Sequence, residues 1–292
     1  SGVITMYFMQ WWPVSLGINV KAFNSMIGFG ITFQANDFLA RIKDQLFFLV
    51  LGYYFPLAQF GYINWAKQWS SYPYTMTVQN VMSVTFPVFA RLQHDKNLLK
   101  KAIEKALFFI SLAIFPILAG MCSFIFPLLQ VFPAYSQWQP AAWSLIFFTL
   151  SIVGGALSTP ITNTLNAIGK ITTTLRLMIL WTILTWTLTP LMIYLYGYTG
   201  VSISAFIISI TSFLPFIYLK TIVSINFWDQ IWRQALATVG LVIVGVLGQS
   251  YWGSGLLPLL VGMFASALTY GLLLLVLGKN KITTEFQSLK SS

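Results

Sequence analysis

Eight long apolar runs are joined by hydrophilic segments, and nearly all the Lys and Arg of the chain fall on every second joint. Thirteen of the sixteen basic residues lie there: Lys21; Arg91, Lys96, Lys100, Lys101 and Lys105; Lys170 and Arg176; Lys220 and Arg233; Lys279, Lys281 and Lys290. The joints between them, GYYFPLAQF (52–60), VFPAYSQWQP (131–140), YLYGYT (194–199) and SYWGSG (250–255), hold none. Cationic loops resist translocation and collect on the cytoplasmic side of a bilayer, and that bias sets orientation. The alternation therefore describes an all-α polytopic membrane protein of about eight transmembrane helices, with the basic joints and the C-terminus inside.

Composition supports the same reading. Charged residues make up 8% of the chain, against about 25% in a soluble domain, and the mean hydropathy is +0.77. A helix rises about 1.5 Å per residue, so runs of about 20 residues cross a hydrocarbon layer of roughly 30 Å. The expected spans are 22–51, 61–90, 101–130, 141–167, 171–195, 200–222, 232–250 and 256–277. Tyr53, Tyr54, Tyr135, Trp138, Tyr194, Tyr196, Tyr198, Tyr251 and Trp252 mark their outer ends, because amphipathic rings favour the headgroup level. The net charge of +10 is spread over five segments on one side. Membrane lipids with anionic headgroups are the partner this implies, rather than nucleic acid. Cys122 stands alone and forms no internal disulfide. The opening SGVITMYFMQWW reads as the tail of a helix already under way, so the chain is expected to be a fragment whose earlier half is missing.

The first span is unusual for its charges. Asp37, Arg41, Lys43 and Asp44 all lie within it, and at about 100° per residue Gln34, Asp37, Arg41 and Asp44 share one helix face. Lys43 is expected to point elsewhere and snorkel outward. Ionisable groups at membrane depth are costly unless paired or wetted, and they usually mark a substrate or ion path. The face is expected to border an aqueous cavity; an ion pair that only fixes helix packing is the alternative. Asn64, Lys67, Gln68 and Ser71 of the second span repeat at helical spacing toward the same cavity, followed by Gln79 and Asn80. In the fourth span Thr159, Asn163 and Asn166 are read as helix-packing groups. Pro116, Pro160, Pro190 and Pro215 fall inside spans and predict bends. Asp95 or Asn97 is expected to cap the helix that begins in the basic joint 91–106.

No enzyme is expected. The six acidic residues avoid the outer joints, His94 has no carboxylate or second metal ligand nearby, and no glycine-rich phosphate loop is present. No metal site and no cofactor are expected.

Several stretches resemble the C-terminal part of polysaccharide (lipid-linked oligosaccharide, O-antigen type) flippases of the multidrug/oligosaccharidyl-lipid/polysaccharide exporter superfamily. In FPVFARLQHDKNLLKKAIEKALFFISLAIFPILAGM (86–121), Phe86, Pro87, Arg91, Pro116 and Gly120 fill the family's Phe-Pro, basic-joint and Pro-then-Gly pattern. In ARIKDQLFFLVLGYYFPLAQFGYINWA, Arg41, Asp44, Gly52, Gly61, Tyr62 and Ala66 match the helix that bears Arg and Asp and the start of the next. WQPAAW (138–143) and NTLNAIGK (163–170) follow in the family's order. The resemblance covers about residues 20–225. Trp65 and Lys67 depart from it, since the family often has a basic residue closer to the Tyr.

This resemblance implies a tail of a preceding helix and a linker (1–20), a six-helix C-terminal lobe (21–224) and two additional transmembrane helices with a cytoplasmic tail (225–292). It implies a bacterial cytoplasmic-membrane carrier of an undecaprenyl-pyrophosphate-linked repeat unit, working by alternating access beside other polysaccharide-assembly proteins. Arg41 would meet the diphosphate, oriented by Asp37 and Asp44, with Gln34, Lys67 and Asn64 as further substrate contacts. The competing readings are an ion-coupled small-molecule exporter of the same superfamily, a membrane enzyme of polysaccharide assembly, and a scaffolding subunit.

Overall fold

The computed structural model describes residues 20–290, and the structure is helical throughout, with no strand among the described residues. The opening segment expected to end a preceding helix lies outside the described residues. Eight helical runs follow in order. The first joins Val20–Arg41 to Phe47–Tyr54 through a wide π turn at Ile42–Leu46, and the second joins Leu57–Tyr74 to Asn80–Arg91 through another at Thr75–Gln79. Then come Lys96–Val131, Ala142–Ala167 and Ile171–Tyr196. The sixth, Gly200–Ile210 with Leu214–Lys220, precedes Phe227–Leu247 and Leu256–Lys290, the last kinked at Gly278.

Among the described residues, five stretches are long and apolar enough to cross a membrane: Lys96–Val131, Pro133–Ala167, Ile171–Lys220, Phe227–Leu247 and Leu256–Lys279. The third of these is a hairpin. Gly197 takes a positive φ of 61° at its turn, a conformation that glycine adopts without strain. Ser204 then bonds back to Thr189 at 2.9 Å, and Trp181 to Thr211 at 3.0 Å. The first two runs fall short of the apolar measure because they carry the charges and amides noted above. The protein is an all-α polytopic membrane protein. Its surface fits that solvent: Leu49, Leu57, Leu247 and Val276 are each at least three-quarters exposed, a distribution that would drive a water-soluble protein to aggregate.

Asp95, not Asn97, caps the third span; its Oδ1 accepts from the amides of Asn97 and Leu98 at 2.9 and 3.0 Å. From the next turns of that helix, Glu104 Oε1 accepts the Asn226 amide at 2.8 Å and so fixes the start of the seventh span. The seventh span begins at Phe227, five residues earlier than the expected 232, because that capped start is tied to protein rather than left in a loop.

Three apolar clusters hold the bundle. One, toward the basic joints, contains Phe89, Leu99, Ile103, Ile114, Ile161 and Leu219. A second, toward the lysine-free joints, contains Phe47, Ile63, Ala66, Leu129, Leu145 and Phe148. The third joins the last two spans to the third one through Ala119, Ala237, Leu241, Tyr270 and Leu274.

Prolines explain how that third cluster is anchored. Pro116 and Pro127 lack an amide hydrogen, so the carbonyls of Leu112 and Ser123, four residues earlier, lose their helical donors. An unsatisfied carbonyl is costly in hydrocarbon. Tyr270 Oη donates to the Leu112 carbonyl at 2.9 Å, and Gln249 Nε2 donates to the Ser123 carbonyl at 3.2 Å. Both orphans are thus answered by the chain beyond residue 247. Tyr270→Phe is expected to destabilise the fold by on the order of 1 kcal/mol, since it removes the donor while keeping the ring. Thermal unfolding in detergent, followed by capture of Cys122 with a thiol-reactive dye, would read this; an unchanged transition would refute it.

The fourth and sixth spans approach unusually closely. A Cβ placed on Gly154 would lie 2.6 Å from the Ser209 carbonyl oxygen. That contact closes one wall of the cavity described next.

Candidate functional site

The wide turn at Ile42–Leu46 decides what the first span shows to its neighbours. In a π turn each residue advances less than in an α-helix, so side chains beyond the turn rotate off the face they would otherwise share. Asp37 and Arg41 lie before the turn and pair with each other, Oδ2 to Nε at 2.9 Å, with the Arg41 side chain 63% exposed. Asp44 leaves that face and pairs with Lys43 at 2.8 Å. The expected four-residue stripe is therefore split. Lys43, which sequence sets aside as a snorkelling residue, lines a cavity together with Asp44, and Asp37, Arg41 and Gln34 do not.

That cavity measures about 520 Å³, within the range of small-molecule sites. Parts of the first, second, fourth, fifth and sixth spans enclose it. Its floor is apolar, with Phe47, Phe48, Leu51 and Met178. Lys67 enters from the second span, its Nζ 4.4 Å from the centroid of the Phe48 ring. It forms no ion pair with any described carboxylate, and a cation over an aromatic face is only partly compensated for lost hydration. The cavity thus carries the Lys43–Asp44 pair and a second lysine, Lys67, that lies over a ring and makes no direct ion pair.

Ten of the lining side chains bear hydroxyls. Tyr74 and Thr159 share a hydrogen bond of 2.9 Å between the second and fourth spans. Thr159 donates to the Gly155 carbonyl, Thr185 to that of Trp181 and Ser209 to that of Phe206. Hydroxyl hydrogens spent on the helix backbone leave oxygen lone pairs facing inward. The wall is rich in acceptors while the lysines supply the positive donors. Such a site suits a ligand with hydroxyl groups and negative charge together.

Of the other polar residues expected here, Asn64 and Gln68 are exposed outside the cavity, and Gln79 and Asn80 likewise. Thr159 was expected only to pack helices; it does bond to Tyr74, and it also lines the cavity. Asn166 does pack helices, accepting from Thr174 at 2.7 Å. Sequence reasoning missed Tyr74 and the hydroxyls of the fifth and sixth spans. For the fifth span, a run of Thr at helical spacing in TTTLRLMILWTILTWTLT was the available signal.

Residues 1–143 match the model of a family described as polysaccharide biosynthesis protein. That stretch, just under half of the chain, is similar to this family. The match agrees with the resemblance drawn from sequence and covers every charged residue of the cavity: Lys43, Asp44 and Lys67. It ends at Trp143, so the hydroxyl walls from the later spans, and the NTLNAIGK segment, lie beyond it. No curated protein and no solved structure matches the chain. The chain is thus an all-α polytopic membrane protein whose first 143 residues are similar to that family.

Proposed function

We propose that this protein is a carrier, not an enzyme, that moves an undecaprenyl-pyrophosphate-linked oligosaccharide from the cytoplasmic to the outer leaflet of a bacterial cytoplasmic membrane. In this reading residues 21–224 form a six-helix lobe, residues 225–292 add two helices that brace it, and the basic joints face the cytoplasm. The observation that carries the proposal is Lys67, a cation in no direct ion pair, in a hydroxyl-lined cavity between helices of a chain whose first 143 residues resemble polysaccharide biosynthesis proteins.

The physics is direct. A diphosphate and a chain of sugars cannot enter hydrocarbon unaided, because desolvating charges and hydroxyls without partners costs several kcal/mol or more per group. A polar cavity replaces the lost water with fixed partners. Lys67 and Lys43 meet the phosphate oxygens, Asp44 holds Lys43 in place, and the Ser and Thr oxygens accept from sugar hydroxyls. The lipid tail remains among acyl chains. The Asp37–Arg41 pair lies on the exposed face of the first span, roughly 20 Å along the helix from Tyr54, and would face another polar surface of the working carrier rather than lipid tails.

Deleting the gene in a cell that makes the polysaccharide tests this. The expected result is loss of surface polysaccharide together with build-up of lipid-linked repeat units on the cytoplasmic leaflet. An unchanged polysaccharide layer would overturn the carrier reading, and altered drug tolerance beside it would favour a small-molecule exporter.

A further inference from the structure

Beside the cavity, but outside it, the second span carries a patch of aromatic rings and amides with no charge on it. Asn64, Gln68 and Tyr72 follow one another at four-residue intervals, and Trp69 lies next to them. All four are exposed, Trp69 by 48% and Tyr72 by 41%. The rings form a ladder. Trp138, from the lysine-free joint, stacks nearly parallel on Trp65 at 5.2 Å and 7°. Trp65 stands 6.3 Å from Trp69, and Trp69 stands 5.6 Å from Tyr72. Gln68 Nε2 donates to Tyr72 Oη at 3.3 Å, so amide and phenol are held side by side. From Leu57 to Tyr72 the helix descends roughly 22 Å, so the ladder runs from the joint toward mid-bilayer.

Acyl chains are a poor solvent for two carboxamides and a phenol, so this face is built for something polar. Charged ligands are not what it selects, because the patch offers no countercharge. Pyranose rings combine what it does offer. Their C–H faces lie flat on aromatic rings, while their equatorial hydroxyls reach sideways to amide groups. We infer that this patch is a neutral-sugar site: Trp69 and Tyr72 stack the glycan of the lipid-linked substrate, and Asn64 and Gln68 bond its hydroxyls. The inference rests on the carrier reading and divides its labour. Lys67, one residue from Gln68 on the adjoining face, holds the phosphates, and the patch holds the sugars.

Cysteine protection provides the test. Cys122→Ser removes the single cysteine of the sequence, and Gln68→Cys, or Asn64→Cys should the first variant fold poorly, places a reporter on the patch. Membranes carrying either variant are treated with a membrane-impermeant maleimide. One sample receives undecaprenyl-pyrophosphate-linked repeat unit extracted from the same cells; another receives undecaprenyl pyrophosphate without sugar. The expected result is ready labelling alone, labelling slowed several-fold by the sugar-bearing lipid, and little slowing by the bare diphosphate lipid. Trp69→Leu should remove that protection and Trp69→Tyr should keep it. Equal slowing by both lipids would overturn the sugar assignment while leaving the carrier reading intact. Slowing by neither, or no labelling at all because protein or acyl chains cover the patch, would overturn it as well. Surface polysaccharide measured in the same cells decides the carrier reading separately.

Discussion

Lys67→Gln is expected to lower surface polysaccharide by about ten- to a hundred-fold, the equivalent of one charged hydrogen bond of about 1.5–3 kcal/mol. The size follows from what Lys67 lacks: it makes no direct ion pair, since Asp44 of the same cavity is bonded to Lys43, so its charge is available to a ligand while its Nζ sits over the Phe48 ring. Gln keeps a hydrogen-bond donor, one bond closer to the backbone, and removes the charge. Lys67→Arg keeps the charge and should retain a substantial part of function, which a merely structural role in the core would not predict. Polysaccharide is measured by staining at the cell surface, normalised to folded protein by size-exclusion of a fluorescent fusion. Normal polysaccharide in Lys67→Gln would remove this lysine from the mechanism. Arg41→Ala, the substitution that sequence alone singles out, should leave more function than Lys67→Gln, because Arg41 lies outside the cavity in an exposed pair with Asp37.

Gly154→Val is expected to destabilise the wall of the cavity between the fourth and sixth spans. The Cβ it adds would meet the Ser209 carbonyl oxygen at 2.6 Å, and a backbone atom cannot swing aside as a side chain can. The fourth and sixth spans must separate, opening the wall that carries Ser158, Thr159, Ser209 and Ser212. Overpacking of this kind costs about 1–3 kcal/mol. The prediction is a lower unfolding temperature in detergent and reduced surface polysaccharide. Gly155→Val is the control for the unfolding temperature alone, since a Cβ there has no neighbour within 4 Å but Gly155 itself lines the cavity. Equal unfolding temperatures of the two variants would show that the close approach is not what holds the wall.

How much of this was legible beforehand depended on the range of the physics involved. Lys and Arg placement is read one residue at a time against a planar solvent, so the eight runs and their joints were accessible from sequence. Most boundaries fell within four residues of expectation. The cap at Asp95 was accessible for the same reason, being a contact between near neighbours. Charge within an apolar run was accessible too, and the stretch it marks holds Lys43 and Asp44, which line the cavity. The face it shows was not. A helical wheel assumes a constant turn, and the π turn at Ile42–Leu46 breaks that assumption with no residue that announces it. The assignment therefore favoured Arg41 and dismissed Lys43. The prolines were visible, but their partners were not: Tyr270 lies 158 positions from Leu112, and Gln249 lies 126 from Ser123.

Sequence by itself determined the solvent, the helical class and the number of runs, because the cost of putting charge and bare peptide into hydrocarbon is paid locally, residue by residue. Only the tertiary structure decided which polar groups meet. Lys67 from the second span, the Lys43–Asp44 pair from the first and hydroxyls from the fourth to sixth share one cavity because helices packed at close quarters, as at Gly154, fix rotations that no local pattern specifies.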